Sequence, residues 1–143
     1  MFKKILAGYD GSEGGKAALA AAAVLAAKFE SQMTVLCVRA PLPRHSDLPG
    51  EYEAEAEAAN ENFIERRLEV VEVAVRHGLS IPCETRHGHP AQAIVNHADE
   101  GGYDLIVVGH SGHSGIWRRL LGDTTDRIRD RARCNVLVVK AST

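Results

Sequence analysis

The feature that most constrains this chain is a strict alternation of two kinds of segment. Short, nearly unbroken apolar runs recur: Ile5–Ala7 inside FKKILAGY, MTVLCVRA over 33–40, YDLIVV over 103–108 and NVLVVK over 135–140. An apolar run without polar alternation suits a strand covered on both faces. A further strand is expected over 80–86, with Pro82 near its start, which places it at a sheet edge. Each pair of strands is separated by a stretch of helical character. The order is therefore β-α-β-α-β-α-β-α-β, which implies α/β architecture: a parallel sheet with helices on both faces. The 143 residues show no internal repeat and no boundary, so 1–143 reads as a single domain.

The intervening segments differ in how they make helix. Residues 16–29 are dominated by alanine, the best helix former, after an Asp10-Gly11-Ser12 turn in which Ser12 or Glu13 starts the helix. Residues 51–77 predict a long helix in which Phe63, Ile64, Leu68, Val71 and Val75 recur at three- and four-residue steps as its apolar stripe. Acids at 51, 53, 55 and 57 suit its amino end, and Arg76 and His77 its carboxyl end before Gly78. Gly88-His89-Pro90 opens a helix over 91–99. Residues 109–121 read as a glycine-punctuated loop and 123–133 as a short charged helix. Pro41, Pro43, Pro49 and Gly50 mark a connection long enough to be a lid or a disordered link.

Composition narrows the partners. A formal net charge of −2 offers no strong field to nucleic acid or an anionic membrane, and 5% aromatic residues leave little for base stacking. Cys37, Cys83 and Cys134 form no CxxC pair and sit in apolar, strand-like runs, so free buried thiols in a reducing compartment are expected. No apolar run approaches 18 residues and the first residues lack a signal-peptide core, which points to the cytoplasm.

Ligands of open parallel sheets sit outside the carboxyl ends of the strands, where the winding reverses. Two segments with unusual residues fall there: Gly8-Tyr9-Asp10-Gly11-Ser12 and Gly109-His110-Ser111-Gly112. From 109 the chain reads GHSGHSGIWRRLLGDTTDR. Glycines let a phosphate approach main-chain N–H groups, and a helix starting near Asp123 would add free donors and a positive dipole end. The spacing is neither GxGxxG nor a P-loop. By glycine spacing alone, a phosphate nest and a loop that uses glycine only for turns fit equally well.

Several motifs together favour the nest. Gly109, Gly112 and Gly122 keep a pattern of glycine, two residues, glycine, nine residues, glycine. That pattern resembles the nucleotide loop of universal stress proteins. The start KKILAGYDGSEGGKAAL, the GHP turn followed by AQAI, and the ending CNVLVVK also resemble that family, over essentially the whole chain. The resemblance implies a five-stranded parallel sheet ordered 3-2-1-4-5, adenine nucleotide α-hydrolase-like, and a homodimer through the last strand, Asn135–Lys140. It implies adenine-nucleotide binding in a stress-response regulator: ATP, or ADP or AMP, with slow or no hydrolysis. Gly8, Tyr9, Asp10 and Val38 would lie by base and ribose; Gly109, His110, Gly112, His113, Gly122, Asp123 and Thr124 would hold ribose and phosphates. A nucleotide-free dimeric interaction module of the same fold is the alternative.

One departure bears on that site. Where the family motif has serine or threonine, this chain has Asp123, which cannot donate to a phosphate and repels it. Thr124 offers a hydroxyl instead, or Mg²⁺ bridges Asp123 to a phosphate. His87, His89, His110 and His113 are read as surface groups or phosphate contacts rather than metal ligands, and His45, His77 and His97 as surface positions. Arg118 and Arg119 read as solvated or partner-facing. Neither a nucleophile elbow nor an SGGxDS-like loop after the first strand is present, so no catalytic residue is assigned.

Overall fold

Five strands and four helices alternate along the computed structural model, which describes residues 1–39, 51–110 and 116–141; at 51–53, 55, 56, 59 and 116–123 only the backbone is described. In chain order they are β1 (Lys4–Gly8), α1 (Glu13–Phe29), β2 (Gln32–Arg39), α2 (Glu51–His77), β3 (Cys83–His87), α3 (Pro90–Gly101), β4 (Leu105–His110), α4 (Ile116–Arg131) and β5 (Asn135–Lys140). All strand pairs are parallel and the sheet order is β3-β2-β1-β4-β5. The 41–50 connection lies outside the described residues.

Successive strand residues point to opposite faces, and that alternation builds two cores. Ile5, Ala7, Tyr9, Val35, Cys37, Leu105 and Val107 pack on one face with α1 and α2. Leu6, Leu36, Ile106 and Val108 pack on the other with α3 and Ile128 of α4. Both faces being covered explains why the central strands carry no polar residue at alternate positions. Among the described residues, no helix is long and apolar enough to cross a membrane.

Alanine gives α1 its place. Ala18, Ala22, Ala23 and Ala26 are fully buried, and their small side chains let the helix axis approach the sheet. Ser12 caps it: the hydroxyl accepts from the Gly15 amide at 3.0 Å, satisfying one of the donors a helix leaves over. Pro90 opens α3 and Gly102, at φ +68°, closes it.

Helix α2 runs over the expected residues but turns a different face inward. Val70 and Ala74 are buried, with Phe63 and Val73 packed beside them. Ile64, Leu68, Val71 and Val75 are 57%, 61%, 55% and 76% exposed. The helix carries two apolar stripes and has one neighbouring layer to cover either. The stripe of Phe63, Val70, Val73 and Ala74 packs toward α1 and takes that contact.

Helix α4 also departs from expectation. It begins at Ile116, not near Asp123. The segment IWRRLL is rich in Leu and Arg, strong helix formers, and the single interior Gly122 costs only about 1 kcal/mol relative to alanine. Strand β3 begins at Cys83 because Pro82 has no amide for the ladder; its carbonyl still accepts from the Val35 amide at 2.9 Å.

Candidate functional site at the carboxyl edge of the sheet

The chain winds outward from the middle of the sheet in both directions. β1 leads through α1 to β2 on one side, and β4 leads through α4 to β5 on the other. The winding therefore reverses at the neighbouring ends of β1 and β4, the switch point at which open α/β sheets form their ligand crevice; the β4–α4 connection itself, 111–115, lies outside the described residues. Gly8 is level with Leu36, and Ala7 with both Val35 and Val107. Val38 and His110 thus each lie two residues beyond the level of the β1 end, at the open edge.

The turn after β1 is tightly specified. Asp10 Oδ1 accepts from the Ser12 amide at 2.9 Å and from the Ser12 hydroxyl at 2.6 Å, while Ser12 in turn caps α1. Gly11 has φ +82°, and a Cβ there would stand 2.3 Å from Nε of Arg66. Only glycine fits both that backbone and that contact. Asp10 itself is exposed. Both of its recorded bonds use the same oxygen, and its side chain stands at the crevice.

Tyr9 behaves differently from its neighbour. The ring is buried in the α1–α2 core, its amide donates to the Leu36 carbonyl at 3.0 Å, and its hydroxyl donates to Glu69. Burial, and then the Glu69 carboxylate, push the phenol well above its ordinary value, so it stays protonated. Glu69 is held in turn by Arg66 at 2.5 Å. This Tyr9–Glu69–Arg66 chain fastens the Asp10–Gly11 turn to α2. Arg66 and Glu69 were not visible as site residues, because nothing local in a long helix says which of its charges will reach a turn over fifty residues away.

Gly109 closes the other side. A Cβ there would lie 2.0 Å from the carbonyl oxygen of Gly14, so the end of β4 is in direct backbone contact with the first turn of α1. Gly8 faces Ile94 of α3, whose Cδ1 would be 2.9 Å from a Cβ. His110 is half-buried and pairs in register with Lys140. Ser111, Gly112, His113, Ser114 and Gly115 lie outside the described residues. Gly122, Asp123 and Thr124 fall inside α4 rather than at its start, so their amides belong to the helical ladder. The free amides of the first turn are those of 116–119, where the chain has Arg118 and Arg119 and no acid.

Two groups outside the crevice also gather unexpectedly. His97 is not a surface residue: its side chain is 14% exposed, Nε2 lies 2.6 Å from Glu84, and Nδ1 accepts from Arg86 at 2.9 Å. Cys37 and Cys83, on adjacent strands, bring their sulfurs within 3.7 Å. That hydrogen bond, and then burial, push the Cys37 thiol up, as expected of an inert core thiol. Among the described residues, no three His, Cys, Asp or Glu side chains gather to hold a metal.

The fold has counterparts among known proteins. The model of the universal stress protein family matches residues 1–140. The chain belongs to the universal stress protein family. A universal stress protein of Methanocaldococcus jannaschii is 34% identical over 98% of this chain and 83% of its own. Among solved structures, a universal stress protein in complex with cAMP superposes with a TM-score of 0.75 at 29% identity, covering 98% of each chain. UspA of Lactobacillus plantarum superposes at 0.79 with 26% identity, over 96% of this chain and 97% of its own. The universal stress protein fold accounts for the 3-2-1-4-5 sheet and places this chain among adenine nucleotide α-hydrolase-like proteins.

Proposed function

We propose that this universal stress protein binds an adenine nucleotide in the crevice between the β1–α1 turn and the β4–α4 connection, and works as a nucleotide-responsive stress regulator in the cytoplasm. The observation that carries this reading is the layout of the switch point: an exposed Asp10 just beyond β1, on the strand next to β4 and its Gly109 end. Asp10 can accept from ribose hydroxyls or a base amino group. Val38, at the end of β2, offers the base an apolar contact. Tyr9 acts from behind, by holding the turn. The relative solved with cAMP supports an adenine ligand of this size.

For the phosphates, the first-turn amides at 116–119 and the two arginine positions there suit an anion. Gly112 and His113, outside the described residues, remain in the proposal on the glycine spacing. Asp123 sits about 10 Å along the axis from Ile116, which weakens the expected repulsion. Thr124, one residue on, remains a proposed contact with it, as does Gly122. ATP is the nucleotide we favour, with slow or no hydrolysis. Mg²⁺ would arrive bound to the nucleotide phosphates.

Calorimetry with ATP, ADP, AMP and cAMP, with and without Mg²⁺, tests this. Binding that weakens at least tenfold in Asp10→Ala is expected. Absence of heat with all four in the wild type sinks the proposal and leaves the nucleotide-free module.

A homodimer through β5 is part of the same reading. β5 is an edge strand whose Leu137 is 37% exposed, and an uncovered edge invites a partner strand. Outward β5 amides should exchange slowly in concentrated protein and fast on dilution. Equal rates at both concentrations would argue against this dimer.

A further inference from the structure

Among the described residues, the outer face of α2 is a seam without a partner. Ile64, Leu68, Val71 and Val75 are spaced 4-3-4, the repeat that keeps apolar residues on one line of a helix packing along its length against another. Each is more than half exposed. Together they present on the order of 400 Å² of apolar surface, within the range of the largest patch on a typical monomer, and such patches are often functional. The inner face of the same helix already holds Val70 and Ala74 against α1, so the outer residues have no place in this chain's own core.

Charges beside the seam select the occupant and its direction. Arg67 flanks one side and Glu65 and Glu72 the other; Arg67 and Glu72 are five residues apart, and all three are exposed. When two identical helices pair in parallel and in register, the residue on one flank of the first meets the residue five further along on the opposite flank of the second. Arg67 of each copy then faces Glu72 of the other, twice by symmetry. An antiparallel pairing centred on the four apolar residues would bring Glu65 against Glu72 instead, like against like; the parallel pair in turn sets the exposed Glu57 and Glu61, on the same line, against their own copies, so its contact is confined to 64–75. In the single chain the Arg67 guanidinium stacks 5.5 Å from the centre of the Phe63 ring, on the inner side of the helix, and would swing outward to meet Glu72 of the second copy.

We propose that this seam is an interface between two copies of the chain, with their α2 helices packed in parallel. Two copies would remove on the order of 800 Å² of apolar surface plus the charged flanks, close to the lower end of specific interfaces. The seam lies on the β2–β3 side of the sheet, away from the β5 edge, so it is independent of pairing through β5 and of nucleotide binding.

The test is solution mass by sedimentation at high protein concentration. Leu68→Glu should lower the mass of the wild-type assembly at least by half while leaving the helical spectrum and nucleotide affinity unchanged, since the position is exposed. Arg67→Glu alone and Glu72→Arg alone should each weaken the assembly at least tenfold, and the double variant R67E/E72R should restore it. A wild type whose mass is unmoved by Leu68→Glu, or which is monomeric at high concentration, overturns the proposal. Failure of the double variant to restore the assembly overturns the parallel arrangement. Loss of nucleotide binding in the calorimetry above leaves these outcomes untouched.

Discussion

Helices α1 and α2 lie on the same face of one sheet and answer the same question in opposite ways. α1 is rich in alanine, and its inner alanines are buried to zero exposure; it is capped by Ser12 and touched by Gly109 at backbone distance. α2 is longer and carries larger apolar side chains, yet keeps four of them in water. The difference shows that apolar content does not decide burial. Close approach does: small side chains bring α1 to the sheet, and α2 then packs beside it on the same face. α1 carries the turn on which the crevice depends, while α2 contributes one buried stripe, the Arg66–Glu69 pair and an open seam.

That contrast predicts a graded series in denaturant unfolding. Gly109→Ala should be the most damaging, about 3 kcal/mol, because backbone must move when a Cβ meets the Gly14 carbonyl. A loss below about 1 kcal/mol would mean the contact with α1 is slack. Val70→Ala, on the buried stripe of α2, should cost about 2 kcal/mol through its cavity.

Tyr9→Phe should cost about 1.5 kcal/mol at neutral pH by removing a hydrogen bond to a carboxylate. The Tyr9 phenol is raised in the folded chain, so its contribution is complete below the unfolded value of about 10 and fades as pH climbs above it through the folded value. The variant should therefore lose stability less steeply than wild type above pH 10, and parallel curves would contradict the assignment. Ser12→Ala should cost about 1 kcal/mol from the lost cap. Leu68→Ala, on the outer stripe, should change the stability of dilute protein by less than about 0.5 kcal/mol. A loss like that of Val70→Ala would mean the two faces of α2 are equally engaged.

Much of this architecture was legible in the chain. Continuous apolar runs announced strands covered on both faces, alternation announced the parallel sheet, and the ends of α2 and β5 fell on the expected residues. The strand order came from resemblance to the family, since alternation alone does not order a sheet. What was not legible was set by contacts distant in sequence. Two stripes on α2 satisfy the same periodicity, and only the approach to α1 chooses between them. His97 looked like a surface histidine because its partners, Glu84 and Arg86, are on another element. The start of α4 was misplaced because glycine spacing was weighed above the helix-forming IWRRLL. Asp10 and Gly109 lie at the carboxyl edge of the sheet, while the Tyr9 ring turns into the core.

The central claim is that an adenine nucleotide sits across the β1 and β4 ends. Amide chemical shifts recorded while ATP is added to isotopically labelled protein test it most directly. The expected result is that the largest changes fall on Asp10–Gly15, Val38, Gly109 and His110, with α2 beyond Glu69 and the amino ends of the strands unmoved. Shifts confined to another surface, or a spectrum indifferent to saturating ATP, would contradict it.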